Sequence, residues 1–402
     1  MNILFLTVGN AETFEKYGVE ARGVYTDVLR KLRNEGHSVY VCYPGERRYG
    51  EKTQLRESNG VVLLRVKTGN LTKSGLIEKG ISTLTIEQRY RDAIKKYFRN
   101  VKFDIVLYST PPITFVNVIR YVKNRDNAFC YLLLKDIFPQ NAVDLNMLSE
   151  NGIKGLIYRF FRAKEKALYE VSDKIGCMSE ANRTYLLDKN PELEAGKIEV
   201  SPNSTDITEE EPETKHADNG VITFLYGGNL GRPQSIPFLV ECLKSRMDHE
   251  DEKYLIIGSG TEERVLDSFI ERYRPSNIEH IKELPRKEYE ETVSSCDAGL
   301  IFLDSRFTIP NFPSRLLSYL QAGLPVITCT DDVTDIGRIA EKEGFGFSSS
   351  SSDTASFGEA VERLKRADRA EMGRAARRYL KENCSVQKTY DLIISAYKRS
   401  KQ

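Results

Sequence analysis

Three stretches of the second half combine glycine turns, arginine and helix starts, the residue types that hold phosphate. ITFLYGGNLGRPQSIPFLVECL ends a strand at Tyr226 and turns through Gly227, Gly228, Asn229, Leu230 and Gly231. A helix then starts near Pro233–Ser235. Glycines let the backbone approach a ligand closely. A helix start behind them offers free N–H groups and a partial positive charge. Arg232 adds a formal charge and a forked donor. The spacing is neither GxGxxG nor a Walker A loop, and taken alone a tight strand-to-helix turn explains it equally well. A second turn, YLIIGSGTEERVL, places Gly258 and Gly260 at another strand end, where open α/β sheets bind ligands; turn geometry explains it at least as well. The third, IPNFPSRLLSYLQAGLPVITCTD, sets Pro313 in the first turn of a helix that presents Leu316, Leu317 and Leu320 inward and ends at Gly323. N–H groups around Ser314, Arg315 and Leu316 would point out of that helix start, beside the Arg315 side chain. Two anion sites in one domain suggest a diphosphate.

In the first half, Gly18, Arg22 and Gly23 lie in a loop before a helix starting near Tyr25, and Lys135 and Asp136 follow the strand Ala128–Leu134. Asp136 also fits a turn or N-cap aspartate before Pro139. Asn203 and Asp206 either contact ligand or shape a hinge. In IKGLIYRFFRAKEKALY, residues Ile153, Leu156, Ile157, Phe160 and Leu168 form one helical face, and Lys154, Arg159, Arg162, Lys164 and Lys166 are basic. The plainer expectation is a core-packing helix with a charged outer face; the sharper one is contact with a membrane surface.

The elements that must position these residues alternate β-α-β. Strand-like blocks are Asn2–Val8, Ser38–Tyr43, Val61–Val66, Asp104–Ser109, Ala128–Leu134, Lys174–Met178 and Lys197–Ser201. Most are continuously apolar, as parallel strands covered on both faces are. Helical stretches such as Tyr25–Asn34, Gln88–Asn100 and Lys154–Ser172 separate them. DITEEEPETKHADNG breaks the pattern and reads as a linker. The alternation then restarts with Val221–Tyr226, Lys253–Gly258, Ala298–Leu303 and Leu324–Cys329. The expected architecture is α/β, two Rossmann-like doubly wound parallel sheets. The domains run over 1–203 and 221–385, joined by a linker at 204–220, with a C-terminal helix at 386–402 packing back on the first. Ser348–Ser352 reads as a flexible surface loop.

The 402 residues suit two domains of about 200. No apolar run reaches the roughly 18 residues of a spanning helix, and MNILFLTVGN reads as a buried first strand, not a signal peptide. The seven cysteines are scattered without a CxxC pair and read as buried residues of a reducing compartment. The four histidines offer no metal-ligand spacing, so no metal is expected. Net charge is +1. Residues 1–200 hold 32 Lys+Arg against 24 Asp+Glu, or +8, which leaves −7 for the remainder. A basic first half suits a phosphate-bearing or membrane-surface ligand, or is solvated surface.

PSRLLSYLQAGLPVI resembles the donor-binding segment of family 4 of the retaining GT-B glycosyltransferases. Other features follow in family order: GVEARGVYTDVLRKLRNEGHSVYV resembles the N-terminal glycine loop, helix and second strand, and LLLKDIFPQNAV an RDLWP-type segment. SPNSTD resembles a PNGVD segment, and YGGNLGRPQS a GNLG-type turn. Within that family the chain most resembles the O-antigen and capsule N-acetylfucosamine transferases. The resemblance implies two domains facing a cleft. Gly228, Asn229, Gly231, Arg232, Gly258, Gly260, Pro313, Ser314, Arg315, Leu316 and Ser318 would bind donor. Gly18, Arg22, Gly23 and Asn203 would bind acceptor. Asp136, with Lys135, would serve the acceptor hydroxyl. Where the family carries two glutamates eight positions apart, this chain has Pro310 and Ser318, so the charged ribose contact is lost.

The expected activity is retaining transfer of a sugar, an N-acetylated deoxysugar among the candidates, from a nucleoside diphosphate donor, UDP favoured. It would proceed by front-face attack, without cofactor or metal. The expected acceptor is a polyprenyl-diphosphate-linked or other saccharide of capsule or O-antigen synthesis. The expected place is the cytoplasm, peripheral at the inner membrane face, with no nucleic-acid partner. A non-catalytic sugar-nucleotide-binding partner would bind nucleotide without transfer. A UDP-sugar 2-epimerase would convert a UDP-sugar without acceptor. An NAD-dependent dehydrogenase lacks its GxGxxG here.

Overall fold

The computed structural model describes residues 1–9, 11–50, 52–71, 76–208 and 220–402. They form two compact units, Met1–Asp206 with Val386–Gln402, and Ile207–Ser385. Of the linker expected at 204–220, residues 209–219 lie outside the described residues.

In the first unit the strands are β1 (Asn2–Leu6), β2 (Ser38–Glu46), β3 (Gln54–Ser58), β4 (Val61–Thr68), β5 (Ile105–Ser109), β6 (Phe129–Leu133), β7 (Lys174–Cys177) and β8 (Ile198–Val200). The helices are α1 (Ala11–Tyr17), α2 (Val24–Asn34), α3 (Leu76–Tyr97), α4 (Val116–Asp126), α5 (Gln140–Asp144), α6 (Gly152–Val171) and α7 (Glu180–Lys189). Among the described residues the strands form an eight-stranded sheet ordered β3-β4-β2-β1-β5-β6-β7-β8. Only β3 runs antiparallel, pairing Gln54 with Arg65 and Ser58 with Val61. β5 and β6 are buried at every position because helices cover both faces. The chain reverses its winding at β1, which pairs Leu6 with Cys42 on one side and with Tyr108 on the other. Crevices open beyond the strand ends at such a switch.

The second unit holds β9 (Ile222–Gly227), β10 (Glu252–Ile257), β11 (Ile278–Ile281), β12 (Ala298–Phe302), β13 (Val326–Thr330) and β14 (Gly346–Ser350). Its helices are α8 (Ile236–Arg246), α9 (Glu263–Tyr273), α10 (Arg286–Ser294), α11 (Leu316–Gln321), α12 (Ile336–Lys342), α13 (Thr354–Arg366) and α14 (Arg369–Asn383). Its sheet is parallel, ordered β11-β10-β9-β12-β13-β14, with the switch between β9 and β12. Phe224, Tyr254, Leu300 and Ile327 build its core with helix residues such as Leu239 and Val361. Each such side chain contributes about 1.5–3 kcal/mol by leaving water. The last helix, α15 (Val386–Arg399), puts Ile393, Ile394 and Ala396 into the first unit's core beside Leu29 and Phe129.

Two expectations fail here. The serine run is not a loop: Ser348–Ser350 belong to β14, and Ser349 and Ser351 are buried. The backbone of β14 pairs with β13 in register from Gly346 to Ser350, so strand hydrogen bonds hold the run without apolar side chains. The expected inward apolar face of α6 is also wrong for its first half. Leu168 is buried, but Ile153, Leu156, Ile157 and Phe160 are exposed.

Candidate functional site

In the second unit β9 delivers the glycine turn. A Cβ on Gly227 would lie 2.3 Å from the Tyr289 hydroxyl, so glycine lets that ring close over the strand end. The Gly227 N–H donates to the Tyr319 hydroxyl at 2.9 Å, and that hydroxyl also lies within 3.3 Å of the Leu225 and Leu300 carbonyls. Tyr319 is fully buried and ties α11 to β9 and β12. One residue on, Gly228 has φ +138, and its missing Cβ makes room for the Arg315 guanidinium, 3.3 Å from where it would sit. That guanidinium lies 4.5 Å over the Tyr226 ring. Its Nη1 is buried without a hydrogen-bond partner among the described residues. Burial opposes the charge, but the surrounding Tyr226, Tyr319 and Tyr289 carry the Arg315 pKa above its ordinary value. An orphaned buried donor costs about 1–3 kcal/mol, and more when charged. An anion at the Gly228 turn would remove that cost.

The rest of the turn points the same way. The Asn229 and Gly231 N–H groups have no hydrogen-bond partner among the described residues, while Gly228 and Leu230 donate to Ile257 and Ser259 carbonyls at 2.8 and 2.9 Å. Asn229 donates its side-chain amide to Gln234 at 3.0 Å. Arg232 is exposed at the first residue of a short 3-10 turn, Arg232–Gln234, behind which α8 begins. Gly258 and Gly260 brace this turn from behind. Their added Cβ atoms would stand 1.8 Å from the Gly228 carbonyl and 2.3 Å from that of Leu230, so backbone-on-backbone packing demands glycine at both. His280 supports the same place, with Nε2 2.9 Å from the Gly258 carbonyl and Nδ1 2.8 Å from Asp267.

The third motif is corrected in detail. Its helix starts at Leu316, not at Pro313, and has only six residues. The Leu316 N–H donates to the Pro313 carbonyl at 3.2 Å, so a turn occupies it, and the Leu316 side chain is core. The polar group left without a partner here, among the described residues, is Nη1 of the Arg315 side chain and not a helix start. Ser314 is exposed beside it. Ser318 turns its hydroxyl to the Arg315 carbonyl at 2.8 Å and hydrogen-bonds Tyr289.

In the first unit β6 carries Lys135 and Asp136 just past its C-terminal end. Both N–H groups donate to the Thr110 hydroxyl, each at 3.0 Å, which pins this loop to the end of β5. Lys135 reaches the Ser201 carbonyl at 3.1 Å. The Asp136 side chain is open to solvent, yet crowding protein strips enough water from it to raise its carboxyl to about 6. Tyr25, at the start of α2, hydrogen-bonds Ser109 and feels the Asp136 charge; burial pushes its phenol to about 12. Together they set a poised carboxylate at the strand ends.

The glycine loop beside it is closed on itself. Gly18 caps α1, donating to the Phe14 carbonyl at 3.1 Å with φ +58, and is buried against Ser58. Its conformation, not a ligand, requires glycine there. The Gly23 N–H donates to Asp27 Oδ1 at 3.0 Å. Asp27, fully buried, also accepts from Thr205 at 2.9 Å, from the Asp206 N–H at 3.2 Å and from Arg30 at 2.7 Å; Arg30 pairs with Asp206 as well. Asp206 is thus a structural partner of α2. Asn203 is buried next to this network, and Arg22 is exposed. Asp27, Thr110, Tyr289 and Tyr319 escaped the sequence reading, because no motif spacing marks a residue whose partners are remote in the chain.

Residues 207–379 match the family model described as glycosyl transferases group 1. The probable glycosyltransferase WbjE of Pseudomonas aeruginosa is 21% identical over 327 residues, 78% of each chain. A sucrose-phosphate synthase from Thermosynechococcus elongatus superposes with a TM-score of 0.76 at 14% identity, covering 99% of this chain and 98% of that one. A trehalose-6-phosphate structure from E. coli bound with UDP-2-fluoro glucose gives 0.74 at 12%, covering 99% of both. Anabaena HepE in complex with UDP and glucose gives 0.65 at 12%, covering 99% of this chain and 100% of that one. The chain has the GT-B fold, two α/β units on largely parallel sheets, and its second unit carries the segment of the group 1 glycosyltransferases.

Proposed function

We propose that this protein is a retaining glycosyltransferase that moves a sugar from a nucleoside diphosphate, UDP in first place, to a hydroxyl of a lipid-linked saccharide in polysaccharide synthesis. The observation that carries this is the buried, unpartnered Nη1 of Arg315 at the Gly228 turn. A diphosphate supplies the missing acceptor, and the free Asn229 and Gly231 N–H groups and exposed Arg232 add donors of the same sign. When the bond from the sugar's anomeric carbon to the diphosphate oxygen breaks, negative charge grows on that oxygen and these donors stabilise it. The acceptor oxygen forms the new bond on the same face of the sugar. Asp136, its carboxyl lifted to about 6, is the base that orients the acceptor hydroxyl and eases its proton away. Ser318, turned to the Arg315 carbonyl, leaves the ribose without a carboxylate partner. Donor binding then leans on the diphosphate. An N-acetylated deoxysugar donor, a capsule or O-antigen acceptor and a station at the inner membrane face complete the reading.

The test is thermal shift with UDP-, GDP- and dTDP-sugars. A ligand at about 100 times its dissociation constant adds roughly 2.7 kcal/mol to the native state, a shift of several degrees. A UDP-sugar should give that shift and Arg315→Ala should erase it. A folded wild type that responds to none of the three overturns the reading. Binding without transfer or hydrolysis would leave the non-catalytic partner, which the absent glutamates at Pro310 and Ser318 favour.

A further inference from the structure

α6 is built inside out. Positions 153, 156, 157 and 160 follow i, i+3, i+4, i+7 and form one stripe, and that stripe faces solvent: Ile153 is 82% exposed, Leu156 61%, Ile157 44% and Phe160 42%. Met147, in the turn before the helix, adds another apolar side chain at 56%. The opposite face is polar and locked. Arg162, held within the helix by the buried Glu165 at 2.6 Å, donates across to the Lys189 carbonyl at 2.8 Å and to Asn190 Oδ1 at 2.7 Å, so rolling the stripe inward would break contacts with the end of α7.

The two charges that flank the stripe are both positive. At 100° per residue Lys154 and Arg159 flank it on either side. Both are exposed, and neither has an ion-pair partner among the described residues. No Asp or Glu occurs between residues 151 and 164. A narrow apolar stripe with aromatic content and a basic flank on each side is complementary to an anionic bilayer surface. No helix among the described residues is long and apolar enough to cross a membrane, so this contact would be peripheral.

We propose that the first half of α6 docks the first unit on an anionic lipid bilayer and so presents the acceptor site to a membrane-held saccharide. This rests on the lipid-linked acceptor of the reading above. The link to the site is direct: Phe138, two residues after Asp136, packs edge-on against Phe161 at 5.1 Å, and Phe161 lies against Phe160 at 5.3 Å. The helix that carries the stripe therefore packs on the Asp136 loop.

Flotation of the full chain with vesicles tests this without any sugar substrate. Vesicles of roughly one-third phosphatidylglycerol in phosphatidylcholine should carry the protein, and pure phosphatidylcholine vesicles should carry far less. The double variant Leu156→Ser, Phe160→Ser should bind the anionic vesicles about tenfold more weakly or worse. Its melting temperature and its nucleotide-induced thermal shift should match wild type. Lys154→Glu with Arg159→Glu should abolish the preference for phosphatidylglycerol. Equal binding by the serine variant, or no preference for the anionic vesicles in wild type, overturns the proposal. So does a wild-type dimer that the serine variant turns into a monomer while neither floats, which would assign the face to a second copy. A failed flotation with an intact nucleotide shift removes the membrane surface and leaves the donor site standing; the reverse result removes the donor site alone.

Discussion

Each unit has a glycine loop, between α1 and α2 in the first and between β9 and α8 in the second, and the two differ in where their polar groups go. In the first unit the loop is satisfied from within: the Gly23 N–H, Thr205, Asp206 and Arg30 all converge on the buried Asp27. In the second unit the Arg315 guanidinium fills the space that Gly228 leaves, yet its Nη1 has no acceptor, and the Asn229 and Gly231 N–H groups are free among the described residues. Glycine marks both loops. Buried polar groups are almost always paired, so a buried guanidinium nitrogen without an acceptor marks a ligand site better than glycine does. The proposed anion site therefore belongs to the second unit's turn, while the first unit's loop is a scaffold and the proposed chemistry there falls to Asp136.

Arg315→Ala should break the second side of this comparison most. Losing a preorganised cation at the leaving group costs about 10²–10³-fold in turnover, measured as kcat on donor and acceptor. Unchanged kcat in a folded variant would mean that the orphaned Nη1 serves packing alone. Asp136→Asn follows, with an expected loss of about 10²-fold. In wild type kcat/KM should fall as pH drops through about 6, where the carboxyl takes up its proton, and the Asn variant should lose that limb. Stability gives an independent reading. The folded value lies above the ordinary 3.8, so the fold binds a proton between about pH 4 and 6 and loses stability as pH rises through that window. Asp136→Asn should thus melt higher than wild type near pH 8 and with it near pH 4. Calorimetry that finds the two equal at both would show that the carboxyl is not perturbed.

Asp27→Ala probes the scaffolding side. It leaves Arg30 and three donors around a buried void, so unfolding in urea should show a loss of about 3–5 kcal/mol. The thermal shift on adding nucleotide should survive. A lost nucleotide response in folded protein would place the first unit's loop in donor binding and erase the distinction. Arg232→Ala is the mildest change. Exposed and screened, that charge should alter KM for donor a few-fold with kcat nearly constant, read by steady-state kinetics at low and high salt.

Legibility followed the same physics. Continuous apolar runs such as FCYLL and VITCT announce fully buried strands because both faces of a parallel sheet are covered. β3, β11 and β14 were invisible. QLRES is polar on an antiparallel edge, IEHI is too short to show a period, and GFSSS is held by backbone pairing alone. In the candidate site the sequence pointed to Arg315 and Asp136 but misplaced the start of α11, since Pro313 opens a turn that closes on Leu316 before any helix forms.

Local order and composition determined by themselves the alternation of strands and helices and the two glycine turns of the second unit, because glycine and apolar runs act within a few residues of one another. Tertiary structure alone decided which polar groups are satisfied. Asp27 silences one loop through partners up to 179 positions away, and Tyr319 reaches β9 from 92 positions on. It also decided which way α6 faces, because the amphipathic pattern is identical whichever side meets the protein, and Arg162 fixes the polar side inward by donating to the Lys189 carbonyl and Asn190 Oδ1.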